Sequence, residues 1–392
     1  MEFGSLFEFI RNGMSVKQDK SGDGLPISRI ETIADATVNP EKVGFAGLKL
    51  EDCKNWLLRP GDILFSHINS VDHVGKCAVY RGLPEQLVHG MNLLCFRCDP
   101  KVAVPEFVKY LIRGPVFRAN LSNFINKAVN QASVSIGNLK TISVRVPSIS
   151  EQRRIAAILD QADALRAKRR EALAQLDSLT QSIFIEMFGD PVTNSLGWPT
   201  KRLKDVAEFE NGDRSSNYPS GDDILDSGVL FLSTKNIIQS RLDVTEAVFI
   251  SQAKFKSLSR GKARKGDLIV TLRGTLGNCC IFDCEHETAF INAQMMLIRP
   301  GEGCSTHYLH ALLTSKQAKD RFLRIGNGAA VPQLTSKQFA ELDIPIPPKS
   351  LQTQFAERLQ TIRRMESMQH SALTSTEALF ISLQHRAFQG EL

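Results

Sequence analysis

No uninterrupted apolar stretch approaches the roughly 20 residues that a membrane-spanning helix needs. Met1 to Ile10 also lacks the basic start and apolar block of a secretory signal, so a soluble, cytoplasmic chain with no membrane partner is expected. Glu2-Phe3-Gly4-Ser5 reads as an appended remnant with no part in the fold. The eight cysteines are irregularly spaced. Cys95-Phe96-Arg97-Cys98 has no second pair nearby, and Cys279, Cys280, Cys284 and His286 crowd too closely for a standard zinc set, which leaves buried reduced thiols and no metal site as the expectation. The Gly-x-x-x-x-Gly-Lys-Ser/Thr phosphate loop, the Asn/Asp-Pro-Pro-aromatic segment of adenine methyltransferases and a Gly-rich cofactor loop after a strand are all missing. The chain is therefore expected to hold no cofactor and to perform no chemistry itself. Nor is charge strongly one-sided. The net charge is +6, with 18 basic against 14 acidic residues over 1–147 and 19 against 18 over 188–347, which permits a phosphate-binding face without demanding one.

What is present is a globular composition, 42% hydrophobic and 23% charged over 392 residues, enough chain for two or three units. The two halves repeat at an offset near 200. Phe9-Ile10-Arg11-Asn12-Gly13 matches Phe209-Glu210-Asn211-Gly212, a strand end and turn in both. Leu58-Arg59-Pro60-Gly61-Asp62-Ile63-Leu64-Phe65-Ser66 matches Ala263-Arg264-Lys265-Gly266-Asp267-Leu268-Ile269-Val270-Thr271, a turn, a strand and then a glycine-marked loop. Asn92 to Arg97 pairs with Gln294 to Arg299, and Leu139 to Pro147 with Phe339 to Pro347 at an offset of 200 throughout.

After each closing proline runs a segment nearly free of Gly and Pro, 148–188 and 350–389. Each should be a helix of about 57 Å at 1.5 Å per residue. The first opens on Ser148-Ile149-Ser150-Glu151, a capping box, and stops near Gly189-Asp190-Pro191. A heptad seam places Ile155, Ile158, Ala162, Leu165, Arg169, Ala172, Leu176, Leu179 and Ile183 on one face of the first helix. The 200-residue shift gives Phe355, Arg358, Ile362, Met365, Gln369, Ala372, Thr376, Leu379 and Leu383 on the second, a weaker stripe, so the two helices are expected to pack on each other.

Val146-Pro147-Ser148-Ile149-Ser150-Glu151-Gln152-Arg153-Arg154-Ile155 followed by a heptad helix resembles the central conserved region of type I restriction-modification specificity subunits. Ile344-Pro345-Ile346-Pro347-Pro348 with Gln352 and Gln354, and the ending Ala387-Phe388-Gln389-Gly390-Glu391-Leu392, resemble the second such region. Gly197-Trp198-Pro199 with Leu203 and Asp205 resembles the usual opening of a target-recognition domain; the first half has no counterpart, so its opening strand should be shortened. The resemblance implies an α+β fold. Two target-recognition domains, 1–147 and 189–347, would be separated by long helices 148–188 and 348–392 in an antiparallel coiled coil that spaces the two readers. It implies a non-catalytic subunit that reads a bipartite site in double-stranded DNA. Its partners would be modification subunits, two of them, that carry S-adenosylmethionine and methylate adenine, and restriction subunits that use ATP and Mg.

Base reading needs donors and acceptors on loops held by a rigid sheet. The loop after the Gly-Asp strand offers Ser66, His67, Asn69, Asp72 and His73 in the first half and Thr271, Arg273, Thr275 and Asn278 in the second. An earlier loop offers Ser28 and Arg29, or Ser233, Thr234, Lys235 and Asn236. The segments 126–131 and 327–333 form a third candidate. Lys254, Lys256, Arg260, Lys262, Arg264 and Lys265 place six positive charges in twelve residues, a phosphate-contacting run or a solvated face. Two rival readings remain open at this level. One is a stand-alone nuclease using Asp62, Asp267 and Lys265, although Gly-Asp before a strand is normally a turn. The other is a coiled-coil scaffold with no DNA role.

Overall fold

The computed structural model describes residues 1–19, 22–128, 131–326 and 333–392. The chain divides into two compact units, Met1–Arg170 with Ser371–Leu392, and Glu171–His370.

In the first unit, strands β1 (Phe7–Asn12), β2 (Ile63–Ser66), β3 (Ile68–Asn69), β4 (Cys77–Val79), β5 (Leu93–Cys98), β6 (Asn126–Ala128) and β7 (Gln131–Ser133) form two antiparallel sheets, ordered β1-β5-β2-β4 and β3-β7-β6. Strand β2 is buried on both faces, so Ile63-Leu64-Phe65 is a continuous apolar run and not an alternation. One face packs Phe65 and Phe96 against Phe107 and Phe117 of the following helices, Pro105–Arg113 and Pro115–Ser122. The other packs Leu64 and Cys95 on Ile33 and Tyr80.

The second unit contains β8 (Thr200–Arg202), β9 (Ala207–Asn211), β10 (Val229–Leu232), β11 (Ile237–Ile238), β12 (Arg241–Leu242), β13 (Val248–Ile250), β14 (Lys262–Arg264), β15 (Leu268–Thr271), β16 (Cys279–Ile281), β17 (Thr288–Ile291), β18 (Met295–Pro300) and β19 (Asp343–Pro345). Its central sheet, β9-β18-β15-β16, repeats the order and antiparallel sense of β1-β5-β2-β4. A further sheet, β13-β10-β17-β14, has a parallel β10–β17 pair inside. The first unit carries the same pairing reduced to single bridges: Ile27 to Gly44 antiparallel, Ile27 to Val88 parallel and Leu57 to Val88 antiparallel. The repeat therefore reaches into segments whose sequences do not align.

The opening strand shows the same economy. In the second unit β8 pairs with β19, and Leu203 N–H donates to Leu342 O. In the first, Glu2 bridges Ser143 and Phe3 N–H donates to Ile142 O, so the strand is shortened to one bridge. Glu2-Phe3-Gly4-Ser5 is not a passive appendage. Phe3 is fully buried among Phe7, Phe96 and Phe117, at the repeat position of the equally buried Leu203.

The two long helices are Ile149–Phe188 and Lys349–Gln389, and the division between units falls inside both. Within the first unit residues 149–170 lie antiparallel to 371–389: Arg154 donates to Leu392 O, Arg166 stacks 4.1 Å from the Phe380 ring, and Arg170 pairs with Glu377 at 2.6 Å. Within the second unit Phe184 and Phe188 stack on Phe355, and Arg241 joins Asp177 to Glu366. The seam is not the one that strict heptads predict. Leu159, Phe184, Leu359 and Phe380 are buried where Ile158, Ile183, Arg358 and Leu379 were expected, and Leu165, Leu179, Met365 and Leu379 stay 42%, 43%, 50% and 50% exposed. A helix of 3.6 residues per turn drifts against a seven-residue pattern, and here each end buries its stripe on its own unit as well as on the other helix.

Each helix is fastened to its unit by a buried glutamine. Gln152 donates to Val102 O and Pro147 O and accepts from Val104 N–H; 200 positions on, Gln352 donates to Gly303 O and Pro347 O and accepts from Ser305 N–H. Only half of the expected capping box forms. Glu151 N–H donates to Ser148 Oγ at 3.4 Å, while the Glu151 carboxylate is held by Arg154.

Candidate nucleic-acid interface

The central strand of each unit ends in a loop that the backbone stitches to a returning segment. In the first unit Val134 N–H donates to His67 O and Ile68 bridges Ser133; in the second Leu334 N–H donates to Leu272 O and Arg273 bridges Gln333. These bonds make His67 and Leu272 equivalent, and likewise Ile68 and Arg273.

Several expected contact residues hold the loops and do not face outwards. Ser28 is fully buried and its Oγ accepts from Gly90 N–H at 2.9 Å. Ser66, also buried, accepts from Asn69 Nδ2. Thr271 Oγ1 donates to Thr275 O and accepts from Asn278 N–H, and Asn278 Nδ2 donates to Ile237 O. Asn236 is buried, accepting from Ser233 N–H and donating to Asp243 O. Apart from Ser66, whose partner is a side chain, a short polar chain next to a turn here satisfies backbone groups that would otherwise be orphaned, the commonest use of Ser, Thr and Asn in loops. His67 is 7% exposed with Nδ1 buried and unpartnered among the described residues, and burial pulls its pKa down.

Others stand outward. His73 is exposed with Nδ1 on Ser70 Oγ, and Asp72, Lys235 and Thr275 are exposed; Thr234 is half-buried. Arg29 pairs with Glu31 at 3.3 Å on the rim of a cleft shared with Gln18, Met91 and Asn92. The basic run separates by partner. Lys254 is bound to Asp223 and Asn217, Lys265 to Glu287, and Lys262 Nζ donates to Lys256 O. Lys256, Arg260 and Arg264 remain exposed without an acidic partner among the described residues.

The structure brings Arg260 and Arg273 together, with Arg214, Asn211, Gln333 and Ser336, around a cleft of about 290 Å³. Arg214 is held by two donations to Ala293 O, at 3.2 and 3.0 Å, and Asn211 Nδ2 donates to Ser336 Oγ at 3.1 Å. Three guanidinium groups around one opening, with no carboxylate lining it among the described residues, make an anion-attracting, donor-rich surface. Sequence reasoning missed Arg214 and Asn211, although both flank the Gly212 turn of the first repeat block. The candidate segments 126–131 and 327–333 lie partly outside the described residues, at 129–130 and 327–332; Asn126–Ala128 and Gln131–Ser133 are β6 and β7.

Asp62 and Asp267 act as turn fasteners. Asp62, 2% exposed, accepts from Arg59 N–H and from the Arg97 fork at 2.8 and 2.7 Å. Asp267 accepts from Arg264 N–H and from Arg299, which also binds Glu210 at 2.6 Å. Both carboxylates are thus committed to arginine and backbone.

A half-buried imidazole gives the second unit an acid limit. His310 Nε2 donates to Ser240 O and Cys279 O, and burial lowers its pKa from 6.5 to about 4. The unfolded chain binds that proton first, so stability is complete above pH 6.5 and falls as pH drops toward 4. Between pH 7 and pH 5 the loss from this residue should be about 2 kcal/mol, and H310Q should remove most of it in thermal unfolding followed across that range. An unchanged pH profile in the variant would rule the residue out as the cause.

Comparison with known proteins agrees with this architecture. A family model described as the type I restriction modification DNA specificity domain matches residues 1–175 and 196–373. A Methanocaldococcus jannaschii protein assigned as the MjaX type I restriction enzyme specificity subunit is 29% identical over 392 residues, 92% of this chain and 85% of that one. The EcoKI specificity subunit of Escherichia coli K12 is 30% identical over 199 residues, 49% of this chain and 43% of its own. Among solved structures, the type I restriction-modification S subunit from M. genitalium superposes with a TM-score of 0.57 at 14% identity, covering 99% of this chain and 95% of that one. A chain from a type I restriction-modification assembly gives 0.55 at 16%, covering 99% of both; at these identities the likeness is one of fold.

Proposed function

The chain belongs to the type I restriction-modification DNA specificity family, and from that premise we propose that it reads a bipartite DNA target, one half-site per unit, as the non-catalytic address of a larger complex. The observation that carries this reading is the repetition of one sheet, β1-β5-β2-β4 and β9-β18-β15-β16, under loops of different chemistry. One scaffold used twice with different donors suits two half-sites of different sequence.

Methylation and cleavage belong to partners that bring S-adenosylmethionine, ATP and Mg. Two modification subunits fit the duplication. Leu165 and Leu379 precede the facing pair Arg166 and Phe380, so in an antiparallel pair they share one side of the first unit's helices. The 200-residue repeat carries Leu165 onto Met365 and Leu179 onto Leu379, which supplies the same exposed apolar pair in the second unit. Two equivalent docking patches would take two copies of one subunit.

Methylome sequencing of cells carrying this chain with its modification subunit tests the reading. A split motif with an unread spacer is expected, absent from cells without the chain. Methylation of a continuous motif, of no motif, or DNA cutting by the purified chain alone would each overturn it. DNA affinity of the complex should fall with salt, by a log–log slope of about −0.9 per phosphate contacted.

A further inference from the structure

The two units carry opposite side-chain chemistry at one position of a shared backbone frame. Ile68 and Arg273 are equivalent by register, each bridged to the returning segment beside the end of the central strand. Arg273 is fixed at the main chain: its neighbour Leu272 donates to Gln294 O at 2.8 Å and accepts from Leu334 N–H at 2.9 Å. Its side chain is exposed, and no ion-pair or hydrogen-bond partner engages it among the described residues. Gly274 follows at φ +82°, with nothing within 4 Å of where a Cβ would stand, so the loop next to Arg273 is left open.

We propose that Arg273 is a base-reading residue of the second unit, recognising a guanine by bidentate donation to O6 and N7 in the major groove, while Arg214 and Arg260 hold the flanking phosphates. The inference rests on the DNA-reading function proposed above and deepens it. A guanidinium fork has the geometry for two acceptors on one base edge, which a lysine lacks. Of the three arginines, Arg273 alone stands on the stitched frame at the tip of the central strand. Arg214 is already committed to Ala293 O, and Arg260 lies on the basic segment between the α-helix Gln252–Ser257 and β14. In the first unit the Ile68 side chain has no donor, so the half-site read there is expected to make no guanine contact at the equivalent place.

The test uses the full chain in complex with its modification subunit and reads methylation of a plasmid library randomised across the split motif. Wild type should require a guanine in one half-site, and H73A, at an exposed loop residue of the first unit, should alter only the opposite half-site, which identifies it as the one read by the first unit. R273A, and R273K with charge retained, should relax that guanine requirement by about 5- to 150-fold while leaving the other half-site unchanged. R260A should weaken methylation of all sequences alike. A wild-type complex that methylates no split motif defeats the proposed function itself. A wild-type motif that survives in R273A and R273K with its guanine preference intact, a uniform loss of affinity in R273A with no change of preference, or a second half-site without guanine overturns the assignment of Arg273 alone.

Discussion

Replacing Phe3 with alanine should destabilise the first unit by about 3–5 kcal/mol, the range for emptying a buried aromatic site. The ring is fully enclosed, with centroids 4.9 Å from Phe7, 5.8 Å from Phe96 and 4.8 Å from Phe117. These partners come from β1, β5 and the helix Pro115–Ser122, so the hole would open where three elements meet. Little can collapse into it, because the main chain at Phe3 is pinned to Ile142 O and a Cβ at Gly4 would already strike Lys140. Calorimetry should show the transition of the first unit moving down while that of the second holds. A shift worth less than about 1 kcal/mol would mean that Phe3 does not pack as described.

The paired turns offer a second large effect with an internal control. Asp62→Ala should cost about 3–5 kcal/mol, since it removes one partner of a buried ion pair. The Arg97 guanidinium, only 18% exposed and stacked 4.8 Å from the Phe9 ring, would lose its counter-charge, and Arg59 N–H its acceptor. Asp267→Ala should cost less, about 1–3 kcal/mol, because Arg299 keeps Glu210. Urea unfolding of the two variants measures the difference. If either variant instead abolished function with its folding free energy intact, the carboxylates would be chemical groups and the nuclease reading would return.

The repeat was legible because both copies of each strand keep a turn, an apolar run and a closing proline at constant spacing. Long helices were legible for the same reason, as tracts without Gly or Pro. What periodicity could not tell was which of two adjacent residues faces inward. Leu159 against Ile158 and Phe184 against Ile183 are decided by the unit beneath the helix and not by the heptad. Phe3 was misread because its short context has no pattern, and only partners some 95 and 115 residues away make it core. Along the candidate interface, residue type identified the loops but not the direction of side chains. Ser28 and Thr271 turn inward to backbone groups that local sequence does not reveal. The arginine cleft draws on residues 211 to 336 and exists only once β18 has joined β9 to β15 and the returning segment reaches the end of β15.

The pairing of residues 371–389 with the first unit bears on the order in which the protein is completed. Phe380 and Ala387 belong to the same core as Phe3 and Phe96. During synthesis the ribosome delivers all of the second unit, Glu171–His370, before these residues emerge. The part that is translated first is therefore missing one wall of its core until the last residues are delivered. Amino-terminal completion first, the usual course for multidomain chains, is not available to a unit whose core is closed by residues 371–389.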